Sequence, residues 1–224
     1  MGKSNGLVSG THSREFDIVG QRVRRIAGGL RHLGIREGDC VCILMRNDIT
    51  FLEITYAVML IGGYAVPINW HFKVDEVAYV VSDTAARVLI GHADLLHPLG
   101  KVIPDSVRQL CADVPQDIAT THDVDTIRAA AGDRFEAWLE AQQSYDGPPM
   151  SAPASMIYTS GTTGNPKGVR RDPPRQSRPR GTSSCAGPFT VCGQAPVPSC
   201  LVLFITRLQT RLRFAPVGSE ACSY

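Results

Sequence analysis

No apolar run in this 224-residue sequence reaches the roughly 18 residues needed to cross a bilayer. Residues Met1 to Gly6 are followed by no apolar core of a secretory signal, and Gly6 stands where a myristoylation signal carries Ser or Thr. These absences lead to the expectation of a soluble, cytoplasmic chain with no membrane span. There is no Cys-x-x-Cys pair and no histidine beyond His122, so Cys185, Cys192, Cys200 and Cys222 have no partners for a zinc site. No metal-ligating set is expected. The net charge of +2 points to no particular partner. Arg22, Arg24, Arg25 and Arg31 fall mostly off the apolar stripe of one helix, which suggests a solvated face and not a nucleic-acid patch.

Beyond these absences, the hydrophobic content of 43% and charged content of 20% are those of a globular domain. Phe16, Val19, Val23, Ile26, Leu30 and Leu33 recur at steps of three and four, the spacing of one helical face. Ser13 is a candidate N-cap and Gly34 a candidate stop. A strand is expected over Cys40–Met45, with Cys40 and Cys42 on one face as buried thiols. Asp48 can cap a second helix running to Ile61 and ending at Gly62-Gly63. A strand over Tyr64–Ile68, a helix over Val74–Val81 and a strand over Arg87–Ile90 follow. This alternation predicts an α/β fold with parallel strands. Further helices are expected over Asp105–Leu110 and Val124–Gln142, a loop over Ser144–Pro153, and a strand over Ser155–Thr159. Trp70 and His71 read as a packed aromatic beside a capped histidine.

That last strand runs into Tyr158-Thr159-Ser160-Gly161-Thr162-Thr163-Gly164-Asn165-Pro166-Lys167-Gly168. The glycines allow close backbone approach, the hydroxyls and backbone N–H groups can surround an anion, and Lys167 adds a mobile positive charge. The combination suits the phosphates of a nucleotide. A P-loop ends in Gly-Lys-Ser/Thr, whereas Pro166 precedes Lys167 and Gly168 follows it, which argues against a P-loop kinase or GTPase.

The eleven residues together resemble the phosphate loop of the AMP-forming adenylating enzymes, the superfamily of acyl-CoA synthetases, luciferases and peptide-synthetase adenylation domains. Leu60-Ile61-Gly62-Gly63-Tyr64-Ala65-Val66-Pro67-Ile68-Asn69 resembles that superfamily's early core motif, and Gly34-Ile35-Arg36-Glu37-Gly38-Asp39-Cys40-Val41 its opening pattern. Ile68 to Phe72, with Asp75 to Tyr79, looks most like an acyl-CoA synthetase. The resemblance covers about Phe16 to Arg171. It implies that ATP, with Mg2+, activates a carboxylic (fatty) acid as an acyl-adenylate, which is then passed to coenzyme A. It assigns Thr159, Ser160, Gly161, Thr162, Thr163, Gly164 and Lys167 to the leaving pyrophosphate. Family members run to more than twice this length. Their magnesium-holding acidic residue, ribose-binding aspartate and catalytic lysine have no counterpart in Val169 to Tyr224, so no catalytic residue is expected in this fragment.

Residues 1–171 carry 17 Lys+Arg against 19 Asp+Glu, and residues 172–224 carry 6 against 2. The second segment also holds 7 of the 15 prolines and 4 of the 7 cysteines. Such composition is what a GC-rich gene yields out of frame. The expectation is therefore the N-terminal portion of a large adenylating-enzyme domain over 1–171, with an incomplete sheet, and a disordered tail over 172–224. The functional expectation is a truncated acyl-CoA synthetase, inactive alone. A non-catalytic remnant that binds phosphate or nucleotide weakly, and a fragment of an amino-acid-activating adenylation domain, are the alternatives.

Overall fold

The computed structural model describes residues 5–124, 133–151, 156–159, 166–170 and 212–214. Its centre is a five-stranded parallel sheet. The strands are β3 (Cys40–Leu44), β4 (Tyr64–Pro67), β5 (Val88–His92), β6 (Arg108–Ala112) and β7 (Asp133–Arg134), in the order β4-β3-β5-β6-β7. In front of it, β1 (Gly6–Ser9) and β2 (His12–Glu15) form a hairpin. The late strand β10 (Leu212–Phe214) adds to the free edge of β1, with Leu7 opposite Phe214 and Ser9 opposite Leu212. A second hairpin, β8 (Met156–Thr159) and β9 (Lys167–Arg170), lies against β4.

The sheet is covered on both faces because alternate residues of its strands point opposite ways. Val41 and Ile43 of β3, Val88 and Ile90 of β5, and Leu110 of β6 share one core with α1 (Phe16–His32), α2 (Ile49–Leu60) and α6 (Phe135–Glu140). Cys42 and Leu44, Leu89, and Cys111 point the other way. They pack against α3 (Val74–Asp83), α4 (Ala93–Leu96) and the short 3-10 helix His97–Val102. The remaining helix, α5 (Gln116–His122), follows β6. α2 is buried almost all round, since it lies between the sheet and α1. Truncating Leu52 or Ile54, both fully buried, would cost about 2–5 kcal/mol.

Most elements lie where the sequence spacing puts them. α1 carries the expected stripe and ends before Gly34, which takes φ +80° to turn the chain out of the helix. Asp48 caps α2 by accepting a hydrogen bond from the Phe51 N–H at 2.7 Å.

Three expectations are corrected. Ser13 is not the N-cap of α1. It belongs to β2, and the cap position is Glu15, with no side-chain bond. Residues 108–110 belong to β6 and not to a helix. Leu110 and Cys111 must face opposite layers to complete both cores, which only an extended chain allows. Over 124–142 there is no single long helix. Asp133 and Arg134 pair with β6, and α6 begins only at Phe135, while 125–132 lie outside the described residues.

Of the off-stripe arginines of α1, Arg25 is exposed, as a solvated face requires, whereas Arg22, Arg24 and Arg31 make hydrogen bonds. Glu53 of α2 is fully buried, and its Oε2 accepts from Arg14 at 2.6 Å and from the Arg22 Nε at 2.9 Å. The rest of the Arg22 fork reaches Glu136 of α6 at 2.9 and 2.7 Å. Arg24 donates to the carbonyl of Tyr145. One buried carboxylate thus joins β2, α1 and α2, and Arg22 carries the link on to α6.

Candidate functional site

The β8–β9 hairpin brackets the glycine- and hydroxyl-rich loop. Its register sets Met156 opposite Arg170, Ile157 opposite Val169, Tyr158 opposite Gly168, and Thr159 opposite Lys167. Of the seven residues expected to bind phosphate, Thr159 and Lys167 are therefore brought together, as facing, exposed residues at the mouth of the hairpin. Ser160, Gly161, Thr162, Thr163 and Gly164 lie outside the described residues. Lys167 has no ion-pair partner among the described residues, which leaves its ammonium available to an anion.

Tyr158 fixes the base of this hairpin. Its side chain is buried in the second core beside Cys42, Val66 and Ile68. Its hydroxyl donates to the carboxylate of Asp83, the last residue of α3. Burial, and then the adjacent Asp83 carboxylate, push the phenol well above its ordinary pKa, so it stays a proton donor. Across the hairpin, a Cβ on Gly168 would come within 2.8 Å of the Tyr158 ring. Only glycine at 168 lets the ring lie against the opposite strand. Cys42, beneath it, is fully buried, and burial raises its thiol to about 12, which makes it a packing residue and not a nucleophile. Cys40 contacts the Met156 sulfur at 3.9 Å.

A second polar cluster escaped the sequence reading. It sits at the carboxyl ends of β3 and β5, where the chain leaves the sheet towards opposite faces, the place where open α/β sheets form a crevice. Arg46 makes a two-pronged bond to Asp94 at 3.1 and 2.8 Å and lies 5.0 Å from the centre of the Trp70 ring. His92 is fully buried. Its Nδ1 accepts from the Arg46 backbone N–H at 3.2 Å, and its Nε2 faces Asp48 at 3.5 Å. Trp70 stacks on His71 with centroids 3.5 Å apart. The side chains occupy one another and lock the crevice between β3 and β5. No local sequence spacing linked Arg46, His92 and Asp94, because the link is made across the sheet.

The described residues thus comprise a parallel sheet covered on both faces and a hairpin that sets Thr159 opposite Lys167. The sequence profile of the family "AMP-binding enzyme" matches residues 7–171. The chain belongs to that family. It is 34% identical over 149 residues to the long-chain-fatty-acid–CoA ligase FadD13 of Mycobacterium tuberculosis, covering 65% of this chain and 27% of that protein. It is 33% identical over 161 residues to the long-chain-fatty-acid–CoA ligase of Thermus thermophilus, covering 70% and 28%. Among solved structures, the anthranilate CoA ligase AuaEII in complex with anthranoyl-AMP superposes with a TM-score of 0.60 at 24% identity. That match covers 76% of this chain and 32% of that one and establishes the shared fold. The chain spans about 27–28% of the length of the two curated relatives. Among the described residues, no helix is long and apolar enough to cross a membrane.

Proposed function

We propose that residues 1–171 are the opening portion of an ATP-dependent acid–thiol ligase domain. In this reading Thr159, Ser160, Gly161, Thr162, Thr163, Gly164 and Lys167 hold the β- and γ-phosphates of ATP. The observation that carries it is the register of the hairpin, which sets Thr159 opposite an exposed Lys167 with residues 160–166 between them. The exposed ammonium fits a multiply charged phosphate, and the glycines and hydroxyls supply donors without bulk. A fatty acid is the favoured substrate class, because the curated relatives above are named as long-chain-fatty-acid–CoA ligases.

The chemistry is two displacements. A carboxylate oxygen of the acid attacks the α-phosphorus of ATP, the bond to the bridging oxygen breaks, and magnesium pyrophosphate leaves. The thiol of coenzyme A then attacks the acyl carbonyl, gives up its proton, and expels AMP. The residues named above contribute to the first displacement, by holding and neutralising the leaving group.

A second reading rests on the Thr159–Lys167 pairing alone: a non-catalytic remnant that binds nucleotide phosphates without turnover. In either case out-of-frame translation best explains the composition of residues 172–224, of which 212–214 pair with β1. Exchange of labelled pyrophosphate into ATP with a mixture of fatty acids separates the two readings. Acid-dependent exchange that disappears in Lys167→Ala supports the ligase. Magnesium pyrophosphate binding without exchange supports the remnant. No binding at all contradicts both.

A further inference from the structure

We propose that Asp83 is a positioning residue for the β8–β9 hairpin that carries Thr159 and Lys167, acting through the Tyr158 hydroxyl. The inference deepens the phosphate-loop reading and rests on it for its functional meaning.

Asp83 is an odd choice for its place. It closes α3, where the helix macrodipole and the free carbonyls disfavour a carboxylate, and the last turn of α3 holds no basic residue to offset it. Among the described residues it has no cationic partner, and it is exposed, so packing does not require it. Its recorded contact is the bond it accepts from Tyr158.

Tyr158 stands one residue before Thr159, and its ring lies against Gly168, one residue after Lys167. One side chain thus touches both strands immediately below the two residues that frame the loop. Asp83 fastens that side chain to a helix of the main domain. The neighbouring Thr84 strengthens the anchor. Its hydroxyl bonds back to the Val80 carbonyl at 2.8 Å and contacts the buried Cys42 thiol at 3.5 Å, fixing the end of α3 over β3. Among the described residues the hairpin has no ladder to β4, and Met156 and Tyr158 pack in the second core, where apolar contacts resist sliding poorly. A charge-assisted bond adds direction to them.

The test is amide hydrogen exchange on the full chain, comparing wild type with Asp83→Ala, Asp83→Asn and Tyr158→Phe. Loss of one charge-assisted bond should raise exchange about tenfold within 156–159 and 167–170 for Asp83→Ala and Tyr158→Phe. Exchange in β3 and β5 should not change. Asp83→Asn keeps an acceptor oxygen and should return the hairpin close to wild-type protection. Magnesium pyrophosphate affinity should fall about tenfold in Asp83→Ala and recover in Asp83→Asn. Wild-type exchange at the hairpin in Asp83→Ala, or exchange raised equally in β3 and β5, would overturn the proposal. If the wild-type chain binds no pyrophosphate, the phosphate-loop reading fails by itself, and hairpin exchange still decides whether Asp83 holds these strands.

Discussion

Replacing Glu53 by leucine should destabilise the chain severely, although it puts an apolar residue into an apolar place. Glu53 is fully buried, while Arg14 and Arg22 retain 28% and 19% of their side-chain exposure. Burial raises the Glu53 pKa, and the two guanidiniums pull it back. On Arg22, burial works against the charge, but Glu136 and Glu53 outweigh it and raise its pKa. Removing the carboxylate leaves two partly buried cations facing each other. Removing one partner of a buried pair costs about 3–5 kcal/mol, and the lower end applies because Arg22 keeps Glu136. Against a typical stability of about 5–15 kcal/mol, that is a large share. If the cost is electrostatic, the triple variant Glu53→Leu, Arg14→Met, Arg22→Met should recover to within about 1 kcal/mol of wild type. Urea unfolding followed by tryptophan fluorescence measures each difference. A single Glu53→Leu variant within about 1 kcal/mol of wild type would refute the reasoning.

Two further outcomes follow from single groups. Burial raises Tyr56 from 10.0 to about 12 and Cys42 from 9.0 to about 12. Their unfolded forms therefore release protons first, so stability falls as pH rises from about 9 to 12, by about 1.4 kcal/mol per pH unit for each titrating group. Tyr56→Phe should flatten the part of that fall above pH 10, and an unchanged slope in urea titrations would contradict this. Asp48→Ala removes the cap of α2 and the carboxylate facing His92, and should cost about 1–2 kcal/mol in the same unfolding measurement. A cost near zero would show that the cap bond is idle.

The parallel sheet was legible because local pattern and tertiary demand agree there. The stripe from Phe16 to Leu33 is the buried face of α1, Asp48 sits one residue before α2, and Cys40 and Cys42 share one core. β6 was misread because Arg108 is exposed and Gln109 half-buried at its start, while Leu110, Cys111 and Ala112 are buried on both faces, so no alternation shows. Ser13 has the chemistry of a cap, but pairing with Val8 draws it into β2 instead. The Glu53 network and the Arg46–Asp94 pair lay beyond reach, since each joins residues separated by 31 to 114 positions. β10 was equally hidden, because it is set by the free edge of β1 and not by any pattern in residues 212–214. At the candidate site, the expected strand ending at Thr159 is β8, which the register sets against Lys167. The bond from the Tyr158 hydroxyl of β8 to Asp83 of α3 joins residues 75 positions apart and emerged only from the structure.

The most direct measurement is calorimetric titration of magnesium ATP and magnesium pyrophosphate into the full chain, alongside Lys167→Ala. If the hairpin presents a phosphate-binding loop, both ligands bind the wild type, and losing one charge-assisted contact weakens each about tenfold or more. Equal affinity in the two proteins, or no binding to the wild type under conditions where the fold is intact, would contradict the claim.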